Sequence, residues 1–179
     1  MTRYVAFLRG VNVGGHTMVK TSDICKGLVS IGFDHVKGYK QSGNIIFETN
    51  DEGVDRIAGE VRKVIHGLIG KDVDVFLRTM DQIREMVRLD PFTDVKAGDV
   101  KFYVTFFRVE PSHALSLPFR SPEGDAEIIL IRGRETYGVA YPKDGRYGAS
   151  YGKMVEKLGK PTSSRDWNTI KGIAALPDR

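Results

Sequence analysis

The sequence predicts an α+β chain built from two halves, each a variation on the order β-α-β-β-α-β. Three observations carry that prediction. Short apolar runs rich in β-branched and aromatic residues alternate with segments whose apolar residues recur at helical spacing. Glycine, proline and Ser/Asn turn chemistry separates them. A polar, glycine-containing stretch at 94–99 divides the chain near its middle.

The first half spans 1–79. Tyr4–Arg9 reads as a strand, after which Gly10, Gly14 and Gly15 force a loop. Residues 20–31 place Ile24, Cys25, Leu28, Val29 and Ile31 near the i, i+4 spacing of a helix. Thr21 or Ser22 supplies its cap and Gly32 its end. His35–Lys40 is a weaker strand, Ser42-Gly43-Asn44 a turn, and Ile45–Thr49 a strong strand. Residues 53–69 carry Val54, Ile57, Ala58, Val61, Val64, Ile65, Leu68 and Ile69, an amphipathic helix stopped at Gly70. Val73–Arg78 closes the unit as a strand. This is the split order of a ferredoxin-like half.

A connecting helix and linker occupy 80–99. Thr79-Met80-Asp81-Gln82 has the form of a capping box, and Pro91 ends the helix it opens. The second half, 100–179, starts with a strand at Lys101–Val109. A long loop follows, holding Pro111, Pro118, Pro122 and Gly124. Glu127–Arg132 and Thr136–Tyr141 pair as a hairpin across Gly133-Arg134-Glu135. Ser150 caps a helix over 151–158, and Ser163 or Ser164 caps a last helix to about Ala175. This half reads as a degenerate copy of the first, with its last strand missing.

The strands Tyr4–Leu8, Ile45–Phe47, Val75–Leu77, Phe102–Phe107 and Ile128–Ile131 lack polar alternation. Strands of that kind are covered on both faces. Helices cover one face of each sheet, so the other needs a lid: the second half, or a second copy of the chain as a homodimer.

Composition excludes several classes. No apolar run approaches the roughly 18 residues that span a bilayer. The start, Met1-Thr2-Arg3-Tyr4-Val5, has no h-region of a secretory signal. The single cysteine, Cys25, allows neither a disulfide framework nor a Cys-based zinc site. The expectation is a soluble cytoplasmic protein with no cofactor, no metal and no membrane. Net charge is +4, and 132–171 alone holds nine basic against four acidic residues. That excess suits a phosphate-bearing partner, although a solvated basic surface is the plainer reading of it.

In the β-α-β-β-α-β order the end of the first strand and the hairpin joining the second and third strands share one sheet edge. That edge carries Arg9, Asn12, Gly14, Gly15 and His16 from one loop, and Gln41, Ser42 and Asn44 from the other. The first loop leads into a helix N-terminus, where free N–H groups and the dipole favour an anion. Arg9 has the fork geometry for a phosphate or carboxylate. The glycines match neither a P-loop nor G-x-G-x-x-G. A bend made by the glycines, with Arg9 paired internally, explains the same residues. In a third segment, Arg165, Trp167 and Thr169 fall near the start of the last helix, with Arg165 and Thr169 on one face. If that face docks on the first half, Arg165 reaches Arg9 and Asn44.

The residues 7–15 (FLRGVNVGG), 41–47 (QSGNIIF) and 163–169 (SSRDWNT) resemble the bacterial family called domain of unknown function 1697. The resemblance runs over nearly the whole chain. Ser163 and Asp166 stand where that family has Thr and Asn, His16-Thr17 where it has Lys-Asn, and Ala149 where it often has a basic residue. The resemblance implies a duplicated ferredoxin-like architecture and no established activity.

Conventional catalytic patterns are missing. His16, His35, His66 and His113 lack metal-like spacing, and there is no nucleophile elbow. Cys25 sits on the apolar stripe of its helix, as a structural thiol does. Ser42 is a nucleophile only if His16 serves as its base. Three readings stay open. One is a module binding a phosphate-bearing small molecule or nucleic acid. The second is a metal-free enzyme on a phosphate ester or amide. The third is an interaction protein whose polar motifs lock the halves together.

Overall fold

The computed structural model describes residues 1–11, 18–40, 43–96, 98–111 and 115–178. Asn12, Gly14, Gly15, His16, Gln41 and Ser42 lie outside them. The fold is mixed α+β, with antiparallel sheets, and divides into two compact units, Met1–Ile83 and Arg84–Arg179.

The first unit runs β1 (Thr2–Arg9), α1 (Thr21–Ser30), β2 (Asp34–Gly38), β3 (Asn44–Thr49), α2 (Val54–Ile69) and β4 (Asp74–Thr79). Its sheet order is β2-β3-β1-β4, every neighbour antiparallel. β1 and β2 are therefore parallel, with β3 between them. Alternate side chains make the core: Tyr4, Ala6 and Leu8 of β1, with Ile45, Phe47, Val75 and Leu77, meet Ile24, Leu28, Ile57, Val61 and Ile65 of the helices. Phe47 lies between Phe33, at 4.7 Å, and Tyr4, at 5.9 Å. On the other face Val5, Phe7, Ile46 and Phe76 are buried too. β1, β3 and β4 are thus buried on both faces, as their continuous apolar runs require, and the outermost strand β2 is not.

The helix ends correct the sequence expectation. Neither Thr21 nor Ser22 caps α1; Lys20 holds the cap position, with no side-chain hydrogen bond. Val29, Ile31, Val54 and Leu68, expected on buried stripes, are exposed. Each lies in the first or last turn of its helix or just beyond. Gly70 ends α2 in the left-handed region at φ +67°.

α3 (Met80–Leu89) straddles the division between the units. Its capping box is present in both directions. Gln82 N–H donates to Thr79 Oγ1 at 3.2 Å, and Thr79 N–H to Gln82 Oε1 at 2.9 Å. Thr79→Ala removes one arm and is expected to cost about 1 kcal/mol in urea unfolding. A change under roughly 0.3 kcal/mol would show that packing alone holds α3.

The second unit holds β5 (Lys101–Phe107), β6 (Phe119–Arg120), β7 (Ala126–Arg132), β8 (Glu135–Ala140), β9 (Pro142–Lys143), β10 (Arg146–Tyr147), α4 (Tyr151–Leu158), β11 (Thr162–Asp166) and α5 (Trp167–Ala174). Its larger sheet has the order β11-β5-β8-β7-β6. The β7–β8 hairpin turns on Gly133-Arg134, with Gly133 at φ +56°, a primed turn that matches strand twist.

Four expectations fail here. The last strand is not missing: Thr162–Asp166 pairs antiparallel with β5. Ser163 and Ser164 are strand residues and cap nothing; Asp166 caps α5, its Oδ1 accepting from Asn168 N–H at 2.8 Å. Ser150 does not cap α4 through its side chain. Finally, Ile129, Leu130 and Ile131 are only half-buried, because β7 is flanked by a two-residue edge strand. The stretch between β8 and α4 also holds a small hairpin, β9–β10.

Candidate functional site

The end of β1, the end of β2 and the start of β3 meet at one edge of the first sheet. Leu8 N–H donates to the Gly43 carbonyl at 2.8 Å, which ties the exit of β1 to the β2–β3 hairpin. Tyr39 N–H donates to the Asn44 carbonyl at 2.9 Å, and Asn44 Nδ2 to the Tyr39 carbonyl at 3.2 Å. Asn44 is buried, opposite Phe7 across β1–β3. Arg9 ends β1 opposite Asp74 of β4. Opposite charges directly across a ladder attract, and Asp74 is the acid that faces Arg9 in register. Of the ten candidate residues, Arg9 and Asn44 come together at this edge.

Arg165, Trp167 and Thr169 lie in the second unit. Arg165 stands in β11 opposite Val104. Its Nη1 donates to Ser163 Oγ at 2.7 Å and to the Ser164 carbonyl at 2.9 Å. Burial pulls its pKa down to about 10, so it stays protonated at neutral pH. Trp167 is buried at the start of α5, its ring edge-on to Phe92 at 5.3 Å and to Tyr137 at 6.1 Å. The common helical face expected for Arg165 and Thr169 does not exist, because the chain passes from strand to helix between them.

Part of the basic excess of 132–171 has partners within the protein. Arg132 lies 3.9 Å from Glu85, and Lys160 lies 3.0 Å from Glu156. Arg134 donates to the Arg108 carbonyl and Lys143 to the Glu123 carbonyl. A cleft of about 370 Å³ in this unit is lined by Glu123, Asp125, Lys143, Asp144, Arg146 and Ser150. Sequence reasoning did not point to it. Its signal was Asp144-Gly145, a two-residue hairpin turn, with φ +50° and +74°.

Among the described residues no group of three or more His, Cys, Asp or Glu is placed to hold a metal, and no helix is long and apolar enough to cross a membrane. Burial pushes the Cys25 thiol up, away from the thiolate a nucleophile needs. His66 Nδ1 pairs with Asp72 on the surface, at 2.9 Å.

The family model for a protein of unknown function, DUF1697, matches residues 1–137. The chain belongs to that family. The match covers the whole first unit and the second as far as Tyr137 in β8. Among solved structures, the conserved bacterial protein SP0830 from Streptococcus pneumoniae is similar, with a TM-score of 0.62 at 18% identity over 97% of each chain. A likeness at that identity shows a shared fold alone. No curated protein sequence matches the chain. The DUF1697 match therefore assigns a family and leaves the chemistry to the site.

Proposed function

We propose that this DUF1697 chain binds a phosphate-bearing ligand at the edge of the first sheet where β1 ends and β3 begins. The observation that carries the reading is the 2.8 Å bond from Leu8 N–H to the Gly43 carbonyl. It brings the end of β1, with its arginine, against the hairpin that Asn44 braces. Arg9 supplies the charge and fork geometry for a phosphate. The reading gives Asn12, Gly14, Gly15, Gln41 and Ser42 the part of lining the same edge. It takes the chain as a cytoplasmic protein. It also takes the first unit as a ferredoxin-like half and the second as its degenerate relative; the strand order β2-β3-β1-β4 supports the first of these.

A specific observation favours a different part for the third motif. Arg165 bonds within its own strand and Trp167 fills an aromatic cluster. In this reading they fix the β11–α5 corner and do not touch the ligand.

Thermal-shift titration with inorganic phosphate, pyrophosphate and nucleoside phosphates tests the proposal. A ligand at 100 times its Kd stabilises by about 2.7 kcal/mol, or about 8 °C for a chain of this size. Arg9→Ala is expected to weaken binding about tenfold, since charge-assisted bonds contribute roughly 1.5–3 kcal/mol. No shift with any phosphate, or a shift that Arg9→Ala leaves unchanged, would overturn the reading.

A further inference from the structure

Three exposed or half-exposed lysines gather beside this edge, and the function described above does not use them. β2 is the outermost strand of its sheet, so one of its sides is unpaired. Lys37 lies in β2, and Lys40 follows it at φ +54°. α1 packs against β2, and an added Cβ on Gly38 would stand 2.3 Å from Thr21 Cγ2. That close approach sets the first turn of α1, with Lys20 before it, against the strand end that carries Lys37 and Lys40. Among the described residues, none of the three lysines is paired with an acid. The acids of this strand pairing, Asp34 and Glu48, sit at its far end, where Arg3 and His35 already approach Glu48. Asp23 is the acid in the first turn of α1. Lys40 Nζ lies 5.5 Å from the centre of the Tyr39 ring, and that ring is half-buried.

We infer that the outer rim formed by Lys20, Lys37, Tyr39 and Lys40 takes the backbone of a single-stranded nucleic acid, with Arg9 at its inner end. This rests on the phosphate reading of the same edge and names the class of ligand. Separate, flexible ammonium groups along a strand border suit a chain of repeating phosphates, where a compact built cradle would suit one. Tyr39 adds an aromatic face on which an unpaired base stacks. The sheet face itself is not the platform, because Phe7 and Phe76 are buried. The rim therefore reads backbone and stacking, and discriminates little between sequences.

The test is fluorescence anisotropy on the full chain, with 12-nucleotide poly-U and poly-dT carrying a 5′ fluorescein. With about four phosphate contacts, affinity falls about 50-fold between 50 and 200 mM salt. The triple variant Lys20→Gln, Lys37→Gln, Lys40→Gln is expected to bind at least about 20-fold more weakly at low salt. Tyr39→Ala loses about tenfold, and Tyr39→Phe retains binding. Lys153→Glu, on the outer surface of α4, changes neither. Circular dichroism confirms that each variant is folded. If the triple variant binds like the parent, the lysines only guard an edge strand against pairing between copies, and the inference fails. If the oligonucleotides do not bind while phosphate still stabilises through Arg9, the inference fails and the phosphate reading stands. If neither binds, both fail.

Discussion

Gly138→Ala is expected to destabilise the second unit by about 3 kcal/mol, the upper end for an overpacked core. Gly138 lies in the middle of β8, and the ring of Tyr151, the first residue of α4, lies across it. A Cβ at 138 would stand 2.1 Å from Tyr151 Cε2. The ring cannot yield cheaply. It is buried, stacks on Tyr103 at 5.6 Å, and its hydroxyl bonds Thr105 Oγ1 at 3.0 Å. Thr105 in turn holds Ser164 Oγ of β11 at 2.7 Å, so the phenol links α4 to the sheet at the β5–β11 pair. Burial pushes its pKa up to about 12, which keeps it neutral at neutral pH. Trp167 is the only tryptophan and is buried in this unit, so its fluorescence reports the loss in urea. In a Tyr151→Ala background the same substitution should cost about 1 kcal/mol or less, since the colliding ring is gone. Equal costs in both backgrounds would show that Gly138 serves the backbone of β8 and not the ring.

Gly138 also marks how far the sequence could be read. It stands inside a run that reads correctly as a strand, and a glycine there signals close approach by something else. The sequence does not say by what, because Tyr151 lies 13 residues on and across the sheet. β1, β3 and β4 of the first unit were legible because their burial is nearly complete and their apolar runs unbroken. β11 was not. Thr162-Ser163-Ser164-Arg165-Asp166 holds no apolar residue, and serines before a tryptophan read equally well as helix caps. Pairing with Phe106 and Thr105, nearly 60 residues earlier, decides the matter, and local chemistry cannot supply it.

The candidate site divides in the same way. The neighbourhood of Arg9 and Asn44 follows from topology alone, since β1 and β2 must run parallel around β3. The lysine rim follows only from the side on which α1 packs, which the alternation of α1 does not encode. The shared face expected for Arg165 and Thr169 failed because a strand-to-helix boundary falls at Asp166, and one misplaced boundary turns a whole side-chain array.

Asp125→Ala should cost roughly 2 kcal/mol, the second-largest loss expected in this chain. The carboxylate is buried under the turn that joins β6 to β7. Oδ1 accepts from Ser121 Oγ at 2.8 Å and Oδ2 from Ser150 N–H at 3.1 Å, at the foot of α4. Ser121 Oγ also accepts from the N–H groups of Asp125 and Ala126, both at 3.1 Å, so the turn closes on itself. Alanine leaves a serine hydroxyl and a helix N–H without an acceptor. Burial raises the pKa of Asp125, but the bonds from Ser121 and Ser150 outweigh it and leave the group below its usual value of 3.8. The sign follows from linkage. A carboxylate with a depressed folded pKa contributes stability that is complete above its unfolded pKa, and that is lost as pH falls through the folded value. The difference in unfolding free energy between the parent and Asp125→Asn should therefore be constant at neutral pH and shrink below about pH 4. A difference that grows on acidification would mean that the buried group is held protonated and donates to its neighbours instead.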